Sequence, residues 1–91
     1  MVTVHRIDCS KITDRDTLHI YLKETLNLPE YYGRNLDALF DCLTEMSQPT
    51  RLEISHPDHL LALGNYAEAL ISTFREAALE NPNLELVCPK L

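Results

Sequence analysis

Residues Pro29 to Glu45 read "PEYYGRNLDALFDCLTE". Pro29 cannot simply continue a preceding helix, and it pushes Leu28 toward extended geometry. Gly33 allows a sharp turn, and Asn35 is a good N-cap for the next helix. At ~100° per residue, Leu36, Leu39 and Leu43 then share one helical face, with Phe40 at its edge. Asp37, Asp41 and Glu45 fall four residues apart on the neighbouring stripe. Like charges at that spacing destabilise an isolated helix. Asp37 has a structural excuse, because a carboxylate in the first turn favours the helix dipole by ~0.3–1 kcal/mol. Asp41 lies a turn beyond that benefit, and Glu45 sits at the end where the dipole opposes it. Asp41 is the carboxylate least explained by folding.

The rest of the chain alternates strands with helices around this segment. "VTVHRIDC" (2–9) reads as a strand rich in β-branched residues. Thr13 is the expected cap of a first helix, strengthened by Asp16, with Leu18, Tyr21, Leu22 and Leu26 as its apolar face. "TRLEI" (50–54) is a second strand. Ser55, Pro57 and Asp58 predict the start of a short helix that Gly64 breaks. From Asn65, the residues Ala67, Leu70, Ile71, Phe74, Ala77 and Ala78 recur at helical spacing until "NPN" (81–83), and "LELVC" (84–88) is a last strand. Strands joined by helical connections need crossovers, which favours a parallel sheet. The expected fold is therefore α/β, a three-stranded parallel sheet packed with about four helices. The helices are expected to cover much of that sheet, in one domain spanning 1–91.

Composition narrows the function classes. The net charge is −6. It disfavours nucleic acid or an anionic membrane as a direct ligand and permits a basic protein partner. No apolar run approaches the ~20 residues needed to cross a bilayer. The N-terminus lacks the pattern of a secretory signal, so a cytoplasmic location is expected. Cys9, Cys42 and Cys88 form no C-x-x-C pair and are expected as free, packed thiols. No cofactor pattern is present. His56 and His59 flank Asp58 at a spacing weakly suggestive of metal, but a helix start explains the same residues. Cys42 with His5 or His19 could be drawn as a thiol and base, yet no local motif supports an enzyme.

"LPEYYGRNLDALFDCLT" resembles the signature segment of the barstar family of intracellular ribonuclease inhibitors, and "FREA" (74–77) resembles the family's last helix. The likeness extends, in order and spacing of elements, over nearly the whole chain. It implies a barstar-like domain, free as a monomer, whose acidic helix and preceding loop plug the cleft of a secreted or toxin-type, guanyl-specific microbial ribonuclease. Carried over by position, it implies partner contacts at Tyr31, Gly33, Asn35, Asp37, Asp41 and Thr44, with Glu68 supplying a carboxylate from the last helix. Ala38 and Cys42 match residues in or beside that surface, Cys42 more for packing. Phe40 and Glu45 stand where the best-known member has tryptophan and glycine, Met46 where it has tryptophan, and Arg34 where it has glutamate. These departures bear on partner choice more than on fold. Carboxylates accept paired, charge-assisted hydrogen bonds from the arginines and lysines that otherwise hold phosphate. The stripe would then imitate the charge of RNA. The alternative use is a non-inhibitory module that presents the same helix to another basic protein.

Overall fold

The computed structural model describes residues 1–89. Strands β1 (Thr3–Asp8), β2 (Thr50–Ser55) and β3 (Leu84–Val87) pair in parallel in the order β1-β2-β3. The register places Ile7 beside Ile54 and Leu52 beside Leu86. Alternate residues therefore line one apolar face. Helices α1 (Arg15–Thr25), α2 (Leu36–Thr44) and α3 (Asn65–Glu80) pack there, and Leu18, Leu22, Leu39, Leu43, Leu70 and Phe74 are fully buried with Leu52. A seven-residue 3-10 helix, Pro57–Leu63, adds Leu60 to the same core. The expected parallel α/β sheet is present.

Its cover is not. All-parallel sheets are usually buried on both faces and read as continuous apolar runs. Here "TRLEIS" alternates, and the second face carries charge instead of helices. Arg6 Nε lies 3.2 Å from Glu53 Oε1, and Arg51 Nε lies 3.0 Å from Glu85 Oε1. Arg51 Nη1 approaches Glu53 Oε2 at 4.0 Å, which links the pairs across all three strands. The ladder covers the open face without burying it.

Several element ends differ from expectation for local reasons. The cap of α1 is Asp14, not Thr13. Asp14 Oδ1 accepts from the Thr17 N–H at 2.8 Å, while Thr17 Oγ1 accepts from the Asp14 N–H at 3.0 Å. This reciprocal pair satisfies two otherwise orphaned donors. Helix α1 closes before Pro29, at Asn27, which takes φ 53°. The Leu28 N–H then donates to the Lys23 carbonyl at 2.9 Å and Leu28 is buried, the usual economy of a left-handed helix end. Ser55 belongs to β2 rather than to a cap, and its hydroxyl donates to the Ile7 carbonyl at 3.3 Å. His56 turns the chain with φ 54°, and the segment after it is 3-10.

Candidate functional site

Helix α2 begins as its sequence requires. Asn35 Oδ1 accepts from the Ala38 N–H at 2.7 Å, and Asn35 Nδ2 donates to the Gly33 carbonyl at 3.2 Å. The left-handed residue of the turn is Arg34, with φ 56°, not Gly33. Glycine is needed at 33 for closeness instead. A Cβ there would stand 3.3 Å from both Ala38 Cβ and Asn35 Nδ2. The loop is thus pressed against the first turn of α2.

The apolar stripe of α2 is buried at Leu39 and Leu43, with Leu36, Phe40 and Cys42 half-buried beside it. Asp37, Asp41 and Glu45 are all exposed, and among the described residues none of them forms an ion pair. The two adjacent tyrosines separate sharply. Tyr32 is 6% exposed and belongs to the core, whereas Tyr31 is 84% exposed. Such exposure of a large apolar ring is costly in water and useful at an interface. Tyr31, Gly33, Ala38, Asp41 and Glu45 line one shallow cleft of about 220 Å³ with Tyr32 and Cys42. Thr44 turns inward, its hydroxyl donating to the Phe40 carbonyl at 3.0 Å.

On its other flank α2 meets α3, and the two run side by side in the same direction. Tyr66, near the start of α3, shares a groove with Leu36 and Asp37. At the far end, Asn81 is 5% exposed, and its Nδ2 donates to the carbonyls of Leu43 and Met46, both at 2.9 Å. This joint ends α2 and α3 together. In the sequence "NPN" marks only a helix stop, since one buried asparagine looks like any turn residue.

The joint also fixes which α3 residues can reach the stripe. Tyr66 lies beside α2, Thr73 and Ala77 fall within roughly 20° of it around α3, and Glu68 lies roughly 160° from it. Glu68 is exposed on α3. Glu76, roughly 60° from Thr73, and Glu80 are also exposed on α3.

No thiol or metal chemistry is organised around this surface among the described residues. His19 is buried, and both its ring nitrogens are taken, Nδ1 by Tyr32 Oη at 2.6 Å and Nε2 by Tyr66 Oη at 2.7 Å. It is not placed as a base for Cys42, whose thiol is raised by burial and by the charges of Glu45 and Asp41. Burial pushes the Cys9 thiol up to about 11. Among the described residues no group of three or more histidine, cysteine or carboxylate side chains could hold a metal ion, and His56 and His59 only stack edge to face.

Comparison with known proteins gives this arrangement its context. The family described as "Barstar (barnase inhibitor)" matches residues 2–88. A protein of Bacillus subtilis (strain 168) named "Putative ribonuclease inhibitor YrdF" is 40% identical over 76 residues, covering 81% of this chain and 84% of that protein. The parallel three-stranded sheet, the loop pressed onto α2 and the match over nearly the whole chain lead to one assignment: the chain belongs to the barstar family.

Proposed function

We propose that this chain inhibits a basic ribonuclease by inserting α2 and the Tyr31–Asn35 segment into its RNA-binding cleft. One observation carries the reading. Three carboxylates stand on an exposed stripe without an ion-pair partner among the described residues, walled on one side by a tyrosine that is 84% exposed. Family membership supports an inhibitor, and the geometry supports the mechanism. Asp41 lines the cleft beside Tyr31 and is the central group. It accepts from arginine or lysine donors that would otherwise bind a phosphate of RNA. Asp37 and Glu45 extend the negative field along the helix, and Asn35 holds the first turn in place. Tyr31 supplies a rigid apolar plate with a polar tip. Phe40 and Thr44 form the opposite border toward α3, where Glu76 rather than Glu68 adds a carboxylate.

The test is titrated inhibition of a guanyl-specific microbial ribonuclease by the purified protein and by Asp41→Ala. Loss of hydrogen bonds to a charged group costs about 1.5–3 kcal/mol, so affinity should fall by at least about tenfold. The circular-dichroism spectrum should stay unchanged, because among the described residues the exposed Asp41 side chain forms no hydrogen bond or ion pair. Inhibition at wild-type strength by the folded variant would remove Asp41 from the mechanism. Absence of inhibition by the unaltered protein would favour the non-inhibitory module.

A further inference from the structure

Behind the binding loop lies a buried polar cluster that the inhibitory surface does not itself use. His19 of α1 is 2% exposed and bridges two tyrosines from different parts of the chain. Tyr32 comes from the loop just before α2, and Tyr66 from the first turn of α3. The Arg15 guanidinium sits 4.2 Å from the centre of the Tyr66 ring and closes the outer side.

The two hydroxyls are not equivalent. Tyr32 is buried, and among the described residues its hydroxyl has no partner except His19 Nδ1. A buried O–H must donate to something, so it donates to Nδ1, and the imidazole proton therefore sits on Nε2. Nε2–H donates in turn to Tyr66 Oη, which is only half-buried and can pass its own proton to water. This arrangement fits a neutral imidazole. Adding a proton at Nδ1 reverses that bond: Nδ1–H donates to the phenol oxygen, and the Tyr32 O–H is left with no acceptor among the described residues. A buried, unpaired donor beside a buried charge costs several times what a normal hydrogen bond contributes.

We propose that His19 is a pH-responsive positioning residue, whose neutral imidazole holds Tyr32, and with it the Tyr31–Asn35 segment, in the shape that binds the ribonuclease. Protonation strands the buried Tyr32 O–H without an acceptor and so weakens the hold on the segment. The proposal rests on the inhibitor reading for its consequence, but not for the switch itself. Charged groups face His19 from each neighbouring element: Arg15 and Asp16 from α1, Arg34 from the loop and Asp37 from α2, with the phenol of Tyr66 from α3. Burial depresses His19 below its ordinary 6.5, with Asp16 opposing it. The direction follows from linkage. An opened segment exposes His19, which then binds a proton near its ordinary value, while the closed segment resists protonation. Closure is thus fully supported above about pH 6.5 and is lost as pH falls below it.

Two arms test this. In the free protein, NMR titration follows the His19 ring and the backbone amides of residues 31–35 from pH 8 downward. The expected result is a His19 midpoint below 6.5, with the amides moving along the same curve, and amides that no longer follow it in His19→Gln. An ordinary midpoint, or loop amides indifferent to His19 protonation, overturns the proposal. The second arm measures inhibition of one ribonuclease by the unaltered protein and by His19→Gln at each pH, so that the enzyme's own titration cancels in the ratio. Affinity of the unaltered protein should fall relative to the variant by up to about tenfold per pH unit below 6.5, the limit for one linked proton. A ratio constant with pH overturns the proposal. A failure to inhibit at pH 8 strikes the inhibitor reading instead, and leaves the NMR arm to decide the switch.

Discussion

Asp41 and Arg34 show how much a single side chain can mean on this surface. Arg34 is exposed, takes φ 56°, and among the described residues forms no ion pair. A non-glycine residue at such a φ costs of order 1 kcal/mol, and the tight loop pressed on α2 accounts for its persistence. Its charge opposes the stripe that begins three residues later. Facing a uniformly basic cleft, it should slow encounter, since exposed charges act on association over ~8–10 Å. Arg34→Glu keeps the backbone constraint and reverses the charge. Stopped-flow mixing should show faster association at low salt, a gain that shrinks as salt rises, and little change in dissociation. Slower association at every salt concentration would mean that Arg34 meets an acidic group on its cognate enzyme. Glu76 and Glu68 make a second comparison, because they differ in position and not in chemistry. Glu76→Ala should weaken inhibition by about 3–10-fold, as expected for a partly solvated charge pair worth ~1 kcal/mol. Glu68→Ala should leave it within about twofold. The reverse ranking in a side-by-side titration would place the partner against the other side of α3.

At the scale of elements, helix and strand order was legible in the sequence and the joints were not. Alternating "TRLEIS", the leucine spacing of α2 and the long periodic run of α3 each announce themselves within a few residues. The Asn35 cap was readable for the same reason. Asp14 is hard to tell from Thr13 because adjacent capping residues differ only in which one reaches the third N–H, a matter of ångströms. The role of Asn81 is hidden because its partners, the Leu43 and Met46 carbonyls, lie 38 and 35 residues away. Periodicity shows which face of α3 is buried, but not which edge of that face has α2 beside it. The Asn81 joint carries its own consequence. Asn81→Leu would leave the Leu43 and Met46 carbonyls without these donors at a buried site. A loss of about 1–3 kcal/mol is expected in urea denaturation, with a fall in inhibition caused by the shifted end of α2. Unchanged stability would show that the backbone there finds other partners.

Across the whole molecule, the two faces of the sheet divide the labour. One face gathers every helix into the core and, through α2, presents the acidic surface. The other is left to solvent under the Arg6–Glu53–Arg51–Glu85 ladder. Isolated exposed pairs contribute little to stability. Their use here is to keep the open sheet face largely polar and self-matched around the exposed Val4 and Val87 on its outer strands, which limits the apolar area on which copies of the chain could stack. The mean of the charge distribution is therefore a poor guide to its arrangement. The ladder is nearly neutral, while much of the net −6 is left to the helical side.

The shared direction of α2 and α3 has a consequence for the uncomplexed protein. Both helices end at the same place, each with its partial negative pole there, and neither has a basic residue in its last turn. Glu45 and Glu80 stand at those ends, with Asp41 and Glu76 one turn before them. Like charges and like helix poles therefore gather at this edge of the free chain, an arrangement that a protein selected only for stability would avoid. Potassium chloride at a few tenths molar should therefore raise the thermal midpoint of the free chain by a few degrees, corresponding to about 1 kcal/mol. Asp41→Asn should already capture part of that gain at low salt. A midpoint that falls with salt in differential scanning calorimetry would show that the ladder on the opposite face, and not this edge, dominates the electrostatics of the fold. If the midpoint rises, a ribonuclease that caps the edge with cations relieves a strain the inhibitor holds in store while it waits.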